Sequence, residues 1–268
     1  MIAGTRLERL TPLIVCGRQR AGTRFVANLL NSFEAVTLQG EIPNPVMTAM
    51  ERFLKEVDVY YEQRGESGRR RFEKQNLTWL RKKGPLVLSL WASVGQDSFV
   101  EPGPECRYFG YKRPNNEYYF DFYETCFNKC RPVYVYCIRN FVDNYLSIVS
   151  RWPDRSIDQV ATEYLGSVRQ YTRMKTAAPD RVLLMNLDDH IRMGFDYVER
   201  NVLTPLGLPV DQERRAALAE QGPVNRTEHE NNRPRRRELT EAELDFLQSR
   251  PELKQEFAAL SEASQGVG

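Results

Sequence analysis

The sequence predicts an α/β fold, a central, mainly parallel β-sheet flanked by helices. Three observations carry this. Residues 12–33 run as strand, glycine loop and amphipathic helix. Short apolar runs then alternate with helix-periodic stretches along the chain. "PVYVYCI" (132–138) is rich in β-branched and aromatic residues, as a strand buried on both faces must be.

In chain order, "PLIVC" (12–16) is a short apolar strand stopped by Gly17. Phe25, Val26, Leu29, Leu30 and Phe33 follow at helical spacing, which opens a βαβ unit. "AVTL" (35–38) reads as a strand. Beyond Pro43, the residues Val46, Met47, Met50, Phe53, Leu54, Val57 and Tyr61 line one helix face. Residues 62–83 are charge-dense, with Trp79 and Leu80 as their strong apolar pair, and read as a surface excursion ending in a short helix. "PLVLSLW" (85–91) and "YFGYK" (108–112) read as strands, and "NNEYYFDFYETCF" (115–127) has helical spacing. After the strand at 132–138, a helix carries Val142, Tyr145, Leu146, Val149 and Trp152 on its apolar face. A long helix covers 156–177, "RVLLMNL" (181–187) is a strand, and 188–203 reads as one helix ended by "GLP" (207–209). A basic loop around 225–237 precedes a helix that Thr240 and Glu243 begin as a capping box. The whole, 1–268, reads as a single domain.

Hydrophobic residues make up 41% and charged residues 28%, and the net charge is +2, so any anion site is local and a nucleic-acid-binding field is not expected. No run approaches the ~18 apolar residues of a membrane span, and the N-terminal residues do not read as a secretory leader. The five cysteines are an odd count, which favours reduced thiols and a cytoplasmic setting. Cys126 and Cys130 read as two small residues on one helix face rather than half of a metal site.

The loop "CGRQRAGTRF" (16–25) spaces Gly17 and Gly22 five apart. A Walker-type loop would continue with a lysine for the phosphates and a Ser or Thr for Mg²⁺. Thr23 stands at the lysine position and Arg24 at the metal-ligand position. An arginine cannot hold a metal ion, so Mg-ATP hydrolysis is disfavoured by chemistry. Backbone N–H groups near Gly22, the helix N-terminus, Arg20, Arg24 and the Thr23 hydroxyl still make an anion site suited to a phosphate or sulfate ester. Taken alone, the loop could equally be a simple strand-to-helix turn. A second element, "YVYCIRNFVDNYLSI", sets Arg139 at a strand end and Ser147 eight residues on. The two could share one phosphate, or be a sheet-edge cap and a polar helix face. The 16–24 loop, Lys112 and Arg139 all fall at carboxyl ends of strands, where ligands bind in parallel sheets.

With these residues the chain resembles the sulfotransferases that use 3′-phosphoadenosine 5′-phosphosulfate (PAPS), over about residues 12–245. Arg20-Ala21-Gly22-Thr23 is similar to the family's 5′-phosphosulfate signature, and the Arg139…Ser147 spacing to its 3′-phosphate element. Gly22-Thr23-Arg24 and the Lys112 segment "GYKRPNNEYYF" resemble the bacterial and glycan-directed branches more than the cytosolic small-molecule branch. "LLMNLDDHIRMGFDYVERNVLTPLGLP" is similar to the family's late strand, acidic turn and helix. Asn140-Phe141 departs from the family's Asp-Pro, and Ala21 from its usual Ser.

The resemblance implies a P-loop-NTPase-like sulfotransferase fold and in-line, metal-independent sulfuryl transfer from PAPS to an acceptor hydroxyl or amine, leaving 3′-phosphoadenosine 5′-phosphate (PAP). It implies a nucleotide-binding set of Arg20, Ala21, Gly22, Thr23, Arg24, Arg139 and Ser147, joined by Arg226 or one of Arg235, Arg236 and Arg237 from the basic loop. Arg20 and Lys112 are then the cations at the leaving oxygen, and Lys112 could also serve as an acid there. No His follows Lys112, and His190 and His229 lie elsewhere, so Glu41 in "LQGEIP" is the implied base. A dipole-stabilised acid at a helix start is the alternative for Glu41. The acceptor is a glycan, a lipid headgroup or a small metabolite, with the branch resemblance tilting toward carbohydrate. The sequence does not specify an oligomeric state. Two rival readings stay open at this point. One is a Mg-dependent kinase using Asp188-Asp189, the other a non-catalytic polyanion-binding module using the arginine tail.

Overall fold

The structure, a computed structural model, describes residues 9–66, 68–94, 102–127, 129–220 and 236–265. The elements are β1 (Thr11–Gly17), α1 (Thr23–Asn31), β2 (Val36–Gln39), α2 (Asn44–Gly65), α3 (Arg70–Val94), β3 (Tyr108–Lys112), a 3₁₀ turn (Asn116–Tyr119), α4 (Phe120–Cys126), β4 (Val133–Ile138), α5 (Phe141–Val149), α6 (Ile157–Ala177), β5 (Val182–Asn186), α7 (Leu187–Met193), α8 (Phe195–Val198), a π turn (Glu199–Leu203), α9 (Gln212–Glu220), α10 (Glu241–Gln248) and α11 (Glu252–Gln265). The strands form one parallel sheet in the order β2-β3-β1-β4-β5. This is the α/β architecture expected, with all five strands where the apolar runs placed them.

By internal contacts the chain resolves into two units, and β1 passes from the first into the second at Ile14–Val15. The first comprises Met1–Ile14, Leu30–Arg113 and Tyr119–Val133. Here β2 and β3 pair in register from Val36↔Tyr108 to Gln39↔Tyr111. A Cβ on Gly110 would sit 1.7 Å from the Leu13 carbonyl oxygen, so only glycine lets β1 and β3 approach this closely. Helices α2 and α3 pack on each other. Buried Lys83 on α3 is ion-paired with Asp58 on α2, and Trp79 Nε1 donates to the same carboxylate at 2.7 Å. Further along α3, Trp91 is fully buried against the rings of Tyr111, Tyr123 and Phe127.

Two expectations fail in this unit. Residues 62–83 are not an excursion with a short helix; they form the end of α2 and much of the 25-residue α3. "PLVLSLW" is not a strand, because α3 runs through it despite Pro85. An uninterrupted apolar run fits a buried helix as well as a buried strand. What decides is the spacing of buried residues Gly84, Val87, Leu88, Trp91 and Ala92, which is helical.

The second unit comprises Val15–Leu29, Pro114–Tyr118 and Tyr134–Gly268. β4 and β5 pair from Tyr134↔Val182 to Ile138↔Asn186. α5 and α6 pack together, with the Phe141 ring edge-on to Tyr164 at 5.4 Å. The single helix expected over 188–203 is broken into α7, α8 and the π turn. Gly194 adopts φ +70, which ends α7. The Thr240–Glu243 capping box forms as expected and starts α10. All five cysteines are thiols. No helix among the described residues is long and apolar enough to cross a membrane.

Candidate active site

β1 ends at Gly17, where the backbone takes φ +113. A Cβ here would lie 2.0 Å from the Cys137 carbonyl oxygen, so no other residue fits. Arg20 (φ +67) and Gly22 (φ +93) continue the left-handed course, and α1 begins at Thr23. This is the strand–loop–helix expected. No acid stands in the first turn of α1, so the positive end of the helix dipole is not offset from within the helix. Thr23 is buried, and Arg24 points outward.

Arg20 Nε donates to Ser147 Oγ at 3.1 Å. The loop and α5, over a hundred residues apart in sequence, are therefore joined by a side-chain hydrogen bond. Arg139 follows β4 and is held by Asp143 at 3.1 Å, one helical turn on, with Asp188 at 3.8 Å. Asp188 accepts from the Asn140 backbone N–H (2.6 Å) and side-chain amide (2.8 Å). Burial pushes the Asp188 carboxyl above its usual range, against the pull of Asn140 and Arg139. Asn140, where the resembling family has Asp, caps α5 by accepting from the Asp143 N–H at 2.9 Å.

Glu41 and Lys112 lie together in the other unit. Lys112 is the last residue of β3, and Glu41 follows two residues after the end of β2. The register Gln39↔Tyr111 brings them side by side, and Lys112 Nζ donates to Glu41 Oε1. Lys112 is largely buried, whereas Glu41 stays accessible. The implied base and cation are thus an ion pair.

The sequence reading missed several residues. Arg18, inside the loop, is 1% exposed and is not a ligand cation. Its guanidinium donates to Asn115 Oδ1 (3.3 Å) and Glu163 (3.0 Å), and Glu163 also takes Arg155. Asn144 Nδ2 donates to the Gln19 carbonyl at 2.7 Å. The Phe25 and His190 rings stack at 4.9 Å. No local motif marks these residues, because their partners lie far away in sequence.

Arg226 and Arg235 lie outside the described residues. Arg236 is ion-paired with Glu243, and its N–H donates to Ser150 Oγ at 2.9 Å. It braces α10 instead of standing ready for a ligand. The carboxylates the kinase reading needed are also engaged. Asp188 holds Asn140, and Asp189 accepts from Asn186 (2.9 Å), Arg192 (2.8 Å) and Ser261 (3.1 Å).

No family model and no curated protein sequence matches the chain. Solved structures do. The sulfotransferase domain of the olefin synthase from Synechococcus PCC 7002 aligns with a TM-score of 0.50 and 16% identity, over 80% of this chain and 79% of that one. Sulfotransferase STF9 from Mycobacterium avium aligns with a TM-score of 0.50 and 15% identity, over 95% of this chain and 77% of that one. At such identities the likeness is one of architecture: the chain has the sulfotransferase fold.

Proposed function

We propose that this protein is a sulfotransferase that moves a sulfuryl group from PAPS to a hydroxyl or amine of a carbohydrate or small metabolite. The observation that carries this reading is the Arg20–Ser147 hydrogen bond, which joins a left-handed glycine loop to α5, the helix that follows Arg139. The set is composed of donors: loop N–H groups, the Thr23 and Ser147 hydroxyls, and the Arg20, Arg24 and Arg139 guanidiniums. Such a set fits an organic anion with charge at two places, and Arg24 offers nothing to a metal ion. The Phe25–His190 ring pair adds a flat surface of the kind on which a purine stacks.

In this reading Arg20, Thr23 and the loop N–H groups receive the 5′-phosphosulfate, and Arg139 and Ser147 the 3′-phosphate. The donor supplies the activated sulfuryl group. Glu41 takes the proton of the acceptor. Lys112, its ion-pair partner, stabilises the charge that develops on the leaving oxygen and keeps Glu41 oriented.

A thermal shift measurement tests the donor. PAP is expected to stabilise the protein and ATP–Mg²⁺ is not, and the effect is expected to vanish in Arg139→Ala. Stabilisation by ATP–Mg²⁺ alone would establish the kinase reading instead. Transfer of ³⁵S from labelled PAPS to a panel of sugars, lipid headgroups and metabolites then identifies the acceptor.

A further inference from the structure

The most deeply buried carboxylate described in the chain has no part in the chemistry above. Glu117 is 1% exposed. One oxygen accepts the Gly17 N–H at 3.0 Å and the other the Ser167 hydroxyl at 2.5 Å. Ser167 is in turn hydrogen-bonded to the Tyr136 hydroxyl at 2.9 Å, which locks the carboxylate in place.

Its target is the residue at which β1 stops being a strand. At φ +113 the Gly17 N–H has left the ladder, and it is the next residue, Arg18, that donates to Cys137 O at 3.2 Å. The Gly17 carbonyl is held as well, by the Asn115 N–H at 2.8 Å. Both polar groups of the loop's first residue are thus fixed by residues 115–117. The Asn115 side chain takes the Arg18 guanidinium, so the same short segment also holds the second loop residue. The direction of the following peptide groups, those able to donate to an anion, depends on this anchorage. Burial pushes the Glu117 carboxyl upward, opposed by its bonds to Ser167 and Gly17 and by Arg18, so this residue is placed at a cost that core packing alone does not require.

We infer that Glu117 is a positioning residue that fixes the anion-receiving shape of the Gly17–Gly22 loop by holding the Gly17 N–H. The inference rests on the proposal that this loop receives the donor's phosphosulfate. Glutamine keeps an acceptor oxygen for Gly17, and its amide can donate to the Ser167 oxygen, so it preserves the anchorage. Alanine removes it.

The test compares Glu117→Ala and Glu117→Gln with wild type by amide hydrogen exchange over residues 16–24 and over β4, together with PAP affinity by calorimetry. In Glu117→Ala, loop exchange is expected to rise about tenfold or more and PAP affinity to fall about tenfold, with β4 unchanged. Glu117→Gln is expected to restore both to within about threefold of wild type. Wild-type loop exchange in Glu117→Ala, or a rise spread equally over β4, would overturn the inference. Should Glu117→Ala not fold, Glu117→Asp, one methylene short of Gly17, is read by the same exchange comparison with the same two outcomes. If wild type itself does not bind PAP, the donor proposal falls, while the exchange comparison still decides the role of Glu117.

Discussion

Gly17 and Ser147 mark the two kinds of constraint on single residues in this site. Gly17 is fixed by space: its φ of +113 and the carbonyl 2.0 Å from any added Cβ leave no route for relaxation, because the obstructing atom is backbone. Gly17→Ala is therefore expected to cost more than about 2 kcal/mol of stability, measured by urea unfolding. Ser147 is fixed by chemistry. Its hydroxyl accepts from Arg20, and Ser147→Ala removes a hydrogen bond to a charged group without disturbing the helix. PAP affinity is expected to fall about tenfold with the melting temperature of the ligand-free protein nearly unchanged. Glu41 is an accessible carboxylate whose partner Lys112 is the buried member of the pair. Glu41→Gln keeps its shape and removes its basicity. Turnover is expected to drop by about 10²–10⁴ while the PAP dissociation constant stays within about twofold; steady-state kinetics beside calorimetry separates the two, and an active Glu41→Gln enzyme would remove Glu41 from the base role.

At the scale of elements, the strands were readable because each is a short apolar run bounded by a breaker, and parallel strands are buried on both faces. The loop was readable because two glycines at fixed spacing and a following amphipathic helix are local facts. "PLVLSLW" was not, since its continuous apolarity carries no period and Pro85 argued against the helix that formed. The 188–203 stretch was misread because one glycine inside a helical pattern is ordinarily tolerated, and only the positive φ of Gly194 shows the break. Of the site, loop cations and strand-end residues could be read, but not that Arg18 pairs with Glu163 or Arg236 with Glu243, because such pairs join distant segments. The Arg236 pair has a measurable consequence. Burial alone would raise the Glu243 carboxyl, yet Arg236, Tyr145 and Thr240 bring it down from 4.5 to about 2. A depressed carboxyl adds stability that is complete above pH 4.5 and is lost as pH falls toward about 2. The stability gap between wild type and Arg236→Met, followed by urea unfolding, is expected to close across that interval. A gap that stays constant down to pH 2 would assign the effect to packing.

For the molecule as a whole, the charge balance bears on the choice between a local anion site and a diffuse polyanion surface. With 38 basic and 36 acidic side chains, no long-range field draws anions to this chain. Two arginines that look available in sequence are already matched: Arg18 with Glu163, and Arg236 with Glu243. In the proposed reading, affinity for PAP comes from the few donors of the loop, Arg139 and α5, working at close range. Such contacts are weakly screened, whereas a polyanion surface that neutralises many phosphates loses about 10³–10⁵ in affinity between 50 and 200 mM salt. PAP affinity is therefore expected to change by less than about tenfold over that range. At a concentration a hundredfold above its dissociation constant, PAP is expected to stabilise the fold by about 2.7 kcal/mol, or roughly 5–10 °C in melting temperature. Heparin, titrated in parallel, separates the two cases. A steep salt slope for heparin with no thermal response to PAP would make the arginines a polyanion surface, and the loop a turn without a ligand.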